Sequence, residues 1–166
     1  YNYTDKQWAN AVVLNSGVTK NVGDEVTEED VSLWYVWIPR YKYKKFTNTP
    51  EEQLISVTFE NGTSTTGTGE NVTHPAFTFG STELTGFWVG KFEVSGSTSA
   101  ITVKPNVTSL RSQTVSSFFT AIQNVKTTYG INNADSHMMK NMEWGAVAYL
   151  KQSKYGLGTT DIAVNT

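Results

Sequence analysis

Residues 32–46 read SLWYVWIPRYKYKKF, and this run constrains the fold more than any other segment. Aromatic and β-branched side chains fill it, which is the composition of a strand. Pro39 interrupts it. Proline has no N–H to give a ladder, so it marks an edge, a bulge or the junction of two strands. Beyond Pro39 the residues alternate, with Tyr41, Tyr43 and Lys45 on one side and Arg40, Lys42, Lys44 and Phe46 on the other. One half-buried face and one basic face follow. The basic face has two readings. Arg40, Lys42, Lys44 and Lys45 could form an anion or glycan patch, with Tyr41 and Tyr43 as further ligand-binding candidates. The simpler expectation is an edge strand that its lysines protect from aggregation.

Composition narrows the functional classes. The chain has 166 residues, a formal net charge of -2 and no cysteine. That length suits one domain over residues 1–166. Without cysteine there is no disulfide framework and no Cys-ligated zinc, haem or iron–sulfur site. No run of about 18 apolar residues is present, so no segment is expected to insert into a membrane. A slightly acidic balance argues against nucleic acid as a partner. Charged residues are 17% of the chain, aromatic residues 13%, and there are 24 Thr and 14 Ser. Such a surface relies on neutral hydrogen bonding, and the expected location is extracellular. Tyr1 is then a processed end or lies inside a longer protein.

Further along, Trp8 with Ala11 to Leu14 predicts a first strand or a helical turn. Thr27 followed by Asp30 predicts a cap into a short helical turn. Residues 54–60 predict a second strand, followed by a Gly/Thr loop at 61–69 without phosphate-loop spacing. Residues 83–95 predict a strand in which Phe87, Val89, Lys91 and Glu93 face one way and Trp88, Gly90, Phe92 and Val94 the other. A glycine there suggests a bulge or close backbone contact. Gly96 to Ala100 predicts a loop, and Ile101 to Lys104 a short strand closed by Pro105. The period then changes. Val115, Phe118, Phe119, Ile122 and Val125 predict an amphipathic helix over 114–129, ended by Gly130. A second helix is expected over 141–152, with Asn141 as cap, a buried stripe of Trp144, Val147, Ala148 and Tyr149 or Lys151, and Gly156 as its stop. Residues 160–165 suggest a last strand.

Little in this pattern carries chemistry. His74 precedes Pro75 and is expected to fix a turn, and His137 to hydrogen-bond near the second helix. Asp135, Ser136 and His137 are adjacent, and adjacent residues cannot reach triad geometry. Glu93 and Glu143 could be paired as glycosidase carboxylates, but Glu143 in a first helical turn suits the helix dipole better. The Asn-x-Ser/Thr sequons at Asn2, Asn61, Asn71 and Asn106 are no more than chance supplies. No metal, cofactor or catalytic residue is expected. Exposed Trp and Tyr are what glycan- and protein-binding surfaces use, yet Trp34, Trp37, Trp88 and Trp144 each sit in an apolar segment and are expected mostly to fill the core.

Three segments carry a resemblance. Phe87-Trp88-Val89-Gly90-Lys91-Phe92-Glu93-Val94-Ser95, Met142-Glu143-Trp144-Gly145-Ala146-Val147-Ala148 and Val36-Trp37-Ile38-Pro39 resemble formylglycine-generating-enzyme-like domains. The order strand, strand, helix, helix also agrees. The resemblance implies an α+β class and a C-type-lectin-like fold of the formylglycine-generating-enzyme variety, with mixed short sheets and two amphipathic helices. Over roughly residues 31–156 the chain is also similar to surface-type proteins of gut Firmicutes and their phages, a likeness that brings no established activity.

The enzymes of that superfamily use a Cys pair with copper or a His cluster with iron. This chain has no Cys and two His, so no position inherits the catalytic role and no enzyme is expected. The family's later Gly-rich segment, where calcium and ligand sites usually lie, is not found, so the resemblance implies a domain incomplete at its C-terminus. The expected function is a non-catalytic extracellular binding module, for a protein or glycan on a cell surface, in a bacterial surface protein or phage receptor-binding protein. The alternative is a subunit or appended domain of a pilus-like or virion fibre, as a homo-oligomer or with its fold completed by another chain.

Overall fold

The computed structural model describes residues 1–5, 7–44, 51–63 and 71–162. Lys45 and Phe46, most of the expected Gly/Thr loop and the end of the expected last strand lie outside the described residues. The class is α+β, with several short sheets and two helices. The chain forms two compact units. One comprises Trp8–Trp37 and Trp88–Met138; the other comprises Tyr1–Gln7, Ile38–Phe87 and Met139–Thr166.

The first unit is built on a sheet in the order β1 (Asn10–Leu14), β2 (Val31–Pro39), β10 (Ala100–Val103), β9 (Val94–Ser97), and β8 (Gly86–Gly90) also pairs with β2. The two readings of residues 8–14 resolve as a strand, as the β-branched pair Val12-Val13 favours. β1 runs antiparallel to β2, with Ala11 opposite Tyr35 and Val13 opposite Leu33. The 3₁₀ turn Glu28–Asp30 leads into β2. The Asp30 carboxylate accepts the Thr27 N–H at 2.9 Å and pairs with Lys20 at 2.7 Å. The hydrogen bond from Lys20, with help from Thr27, holds that carboxyl at about 2.

Two sequence expectations need correction here. The strand expected over 83–95 is broken: β8 ends at Gly90, the chain bends, and β9 starts at Val94. Gly90 permits close packing, since a Cβ there would lie 3.3 Å from Val103 Cγ1. The loop expected at 96–100 is instead the tight β9–β10 hairpin, with Ala100 opposite Ser97. Gly96 sits inside β9 at φ 80°, where a Cβ would lie 2.4 Å from the Ala100 carbonyl oxygen. Only glycine fits that position.

Helix α1 (Val115–Thr128) covers this sheet. Thr114 Oγ1 accepts the Ser117 N–H at 3.1 Å, and Gly130 follows the helix at φ 68°. Leu33, Ile101, Val103, Ala121 and Val125 form the core. Val115 and Phe119, expected in the buried stripe, are exposed. Phe119 lies two positions from Ala121, about 200° around the helix, so it cannot share that face.

The second unit holds a sheet in the order β4 (Ser56–Phe59), β3 (Tyr41–Lys44), β5 (Val72–Thr73) and a ladder of β6 (Thr78–Phe79) with β7 (Thr82–Glu83). β3 is the central strand, with Tyr41 opposite Phe59 and Lys42 opposite both Thr58 and Thr73. The protected edge strand expected for residues 41–46 is therefore corrected. Pro39 does mark the junction of two strands, β2 and β3.

Helix α2 (Asn141–Lys151) starts where the sequence predicts and ends one residue earlier than expected. Lys140, not Asn141, is the cap position, and its N–H is accepted by Glu143 Oε2 at 2.7 Å. Its buried residues are Glu143, Ala146 and Leu150. The expected stripe is thus rotated, and Trp144 is 63% exposed. Gly156 follows after a turn; a Cβ there would lie 2.5 Å from the Leu150 carbonyl oxygen, so glycine lets the chain fold back over the helix end.

Candidate ligand-binding surface

Among the described residues, the basic side chains beyond Pro39 (Arg40, Lys42 and Lys44) do not form an open patch. Arg40 is fully buried. Its Nε lies 3.1 Å from Glu60 Oε2 and its Nη1 2.6 Å from Glu83 Oε2. Nη1 also donates to the carbonyls of Leu84 and Phe77, at 3.3 and 3.4 Å. Glu60 further accepts from Thr73 Oγ1 at 3.0 Å and lies 3.5 Å from Lys42 Nζ. Two carboxylates thus balance Arg40 and Lys42, as buried charge requires. The hydrogen bonds from Thr78 and Arg40 hold the Glu83 carboxyl below the usual range.

Tyr41 and Tyr43 are buried as well. The Tyr41 hydroxyl donates to the Ala146 carbonyl at 2.7 Å, and burial raises its pKa strongly. Tyr43 meets Tyr149 edge-on at 5.1 Å. Arg40, Tyr41 and Tyr43 are therefore corrected as ligand-binding candidates, because no ligand reaches a sealed side chain. Lys42 and Lys44 remain half-buried on β3, and Lys45 lies outside the described residues.

His74 fixes a turn, as its place before Pro75 predicts. It precedes the 3₁₀ turn Pro75–Phe77, and its Nδ1 accepts the Ala76 N–H at 3.2 Å. Tyr41, Tyr43, Phe77 and Tyr149 surround the ring. Burial lowers its pKa from 6.5 to about 4. His137 Nδ1 lies 3.6 Å from Asp135 Oδ2, while the Ser136 hydroxyl donates to the Ile122 carbonyl. That serine bond serves the backbone and is not a triad contact. Glu143 is engaged at the start of α2, and Glu93 is exposed in the other unit. Among the described residues, no group of His, Asp and Glu gathers as a metal site, and no helix is long and apolar enough to cross a membrane.

The tryptophans are more open than Arg40, Tyr41 and Tyr43. None belongs to the buried core, which corrects the expectation that most of them fill it. β2 and β8 set Trp37 and Trp88 edge to face, with ring centroids 5.1 Å apart and planes at 61°. Trp88 is 47% exposed and Trp37 half-buried. One ring is therefore offered to solvent and braced by another, which restricts its rotamer freedom. Trp34, on the same β2, has Lys91 Nζ 5.9 Å above its ring. In the second unit, Lys140 Nζ sits 3.7 Å over the exposed ring of Phe79.

No protein-family model, curated protein or solved structure matches this chain. The functional reading therefore rests on the tryptophan surface and on the segments quoted above.

Proposed function

We propose that this chain is a non-catalytic extracellular binding module of a bacterial surface or phage receptor-binding protein. Its finer fold is C-type-lectin-like, of the formylglycine-generating-enzyme variety, a reading that rests on Val36–Pro39, Phe87–Ser95 and Met142–Ala148. The ligand is a glycan or protein on a cell surface. The observation that carries the reading is the exposed Trp88 ring held edge to face against Trp37. Flat, braced rings of this kind take sugar faces and apolar side chains with little loss of conformational freedom.

The test is a glycan array and a whole-cell binding assay with the wild type and Trp88→Ala. Truncating a stacking anchor costs about 2 kcal/mol or more, roughly a 30-fold loss of affinity. Trp88→Phe keeps part of the ring and is expected to keep part of the binding. A wild-type protein that binds neither glycans nor cells overturns the proposal, as does unchanged binding by Trp88→Ala.

A further inference from the structure

We propose that the outer edge of β1 pairs with β1 of a second copy of this chain, making one sheet continuous across a two-fold axis. β1 ends the sheet order β1-β2-β10-β9. The Trp37 N–H donates to the Ala9 carbonyl at 3.0 Å, and Ala11 and Val13 stand opposite Tyr35 and Leu33. In an antiparallel ladder, hydrogen-bonded and non-bonded pairs alternate. Ala9, Ala11 and Val13 therefore turn their backbone groups toward β2, and Asn10 and Val12 turn theirs away. Among the described residues, no strand or bridge pairs with that outer side.

The opposite end of the sheet is guarded. Ser95 in β9 bridges to Ser109, and the Leu110 N–H donates to the Val94 carbonyl at 2.8 Å. β1 has few such devices. From Gln7 to Thr19 the sequence has no charged residue and no proline, the usual guards of an open edge. The register shift between Val13 and Leu14 leaves Asn10–Val12 regular.

The occupant is a second copy because this short edge is complementary to itself. Antiparallel pairing about a two-fold axis through Ala11 sets Asn10 of each copy against Val12 of the other, so both outward N–H groups and both outward carbonyls on each side find partners. Only Ala11 meets itself, and alanine is small enough for the closer, non-bonded pair. No charged residue of β1 itself opposes the approach, and a net charge of -2 adds little long-range repulsion. The inference is independent of the tryptophan surface.

The test is sedimentation equilibrium of the full chain over a concentration series. The wild type is expected to dimerise. Asn10 is exposed, so Asn10→Lys and Asn10→Glu leave each copy folded, which circular dichroism checks. In the dimer the two position-10 side chains are diagonal neighbours, about 7–8 Å apart. Each variant alone is expected to dimerise roughly fivefold more weakly, and an equal mixture of the two to regain at least wild-type association. A wild type that stays monomeric throughout overturns the proposal. So does a lysine variant that dimerises as the wild type does, or a mixture no tighter than either variant alone.

Discussion

Arg40 sits at the centre of the charge network of its unit, and its worth lies in what it compensates. Removing it by Arg40→Met strips buried Glu60 of the guanidinium 3.1 Å from its Oε2, with Lys42 3.5 Å from its other oxygen. Breaking a buried pair at one partner costs about 3–5 kcal/mol, so urea denaturation is expected to show a loss of that size. His74 gives a pH-dependent counterpart. Its pKa is lowered from 6.5 to about 4 by burial, so between those values the unfolded chain binds the proton that the folded chain refuses. The contribution is fully present above pH 6.5 and is lost as pH falls toward 4. In His74→Asn the Asn oxygen can still accept the Ala76 N–H, and the denaturation midpoint is expected to fall less steeply over that window. The turn at His74 and the strand junction at Pro39 were legible in sequence because both act on neighbouring backbone. The burial of Arg40 was not, because its carboxylate partners arrive from Glu60 and Glu83, remote in sequence.

At the scale of elements, the helices were the most readable part. A period of 3.6 is a local property, and both helices lie within a residue or two of their expected bounds. Which face each buries was less readable, since Phe119 and Trp144 are no less apolar than Ala121 and Ala146, which are buried instead, and α2 also buries the carboxylate of Glu143. The Thr114 cap of α1 is worth about 1 kcal/mol, and Thr114→Ala is expected to lower stability by that amount in a denaturant titration. The strands were legible as extended segments but not in their breaks, because close approaches at Gly90 and Gly96 depend on Val103 and Ala100 across the sheet. Gly96→Ala combines a positive φ with a 2.4 Å encounter with the Ala100 carbonyl. It is expected to cost more than 1 kcal/mol, read as a lower thermal midpoint. Gly130→Ala, with open space around its Cβ, is expected to cost less.

For the whole molecule the governing feature is how the chain is distributed. It passes from one unit to the other after Gln7, Trp37, Phe87 and Met138. Each unit therefore needs segments far apart in sequence, and no single cut isolates either. Residues 88–166 expressed alone carry α1 and β10 without Leu33, and α2 without Tyr41. That fragment is expected to show no cooperative unfolding by circular dichroism; co-expression with residues 1–87 is expected to restore it. This interleaving was invisible in the sequence, which has no composition shift at any of the crossings and reads as one uninterrupted domain. Tyr1–Gln7 and Met139–Thr166 fall in the same unit, and the Trp37–Trp88 pair in the other, which the chain enters and leaves twice.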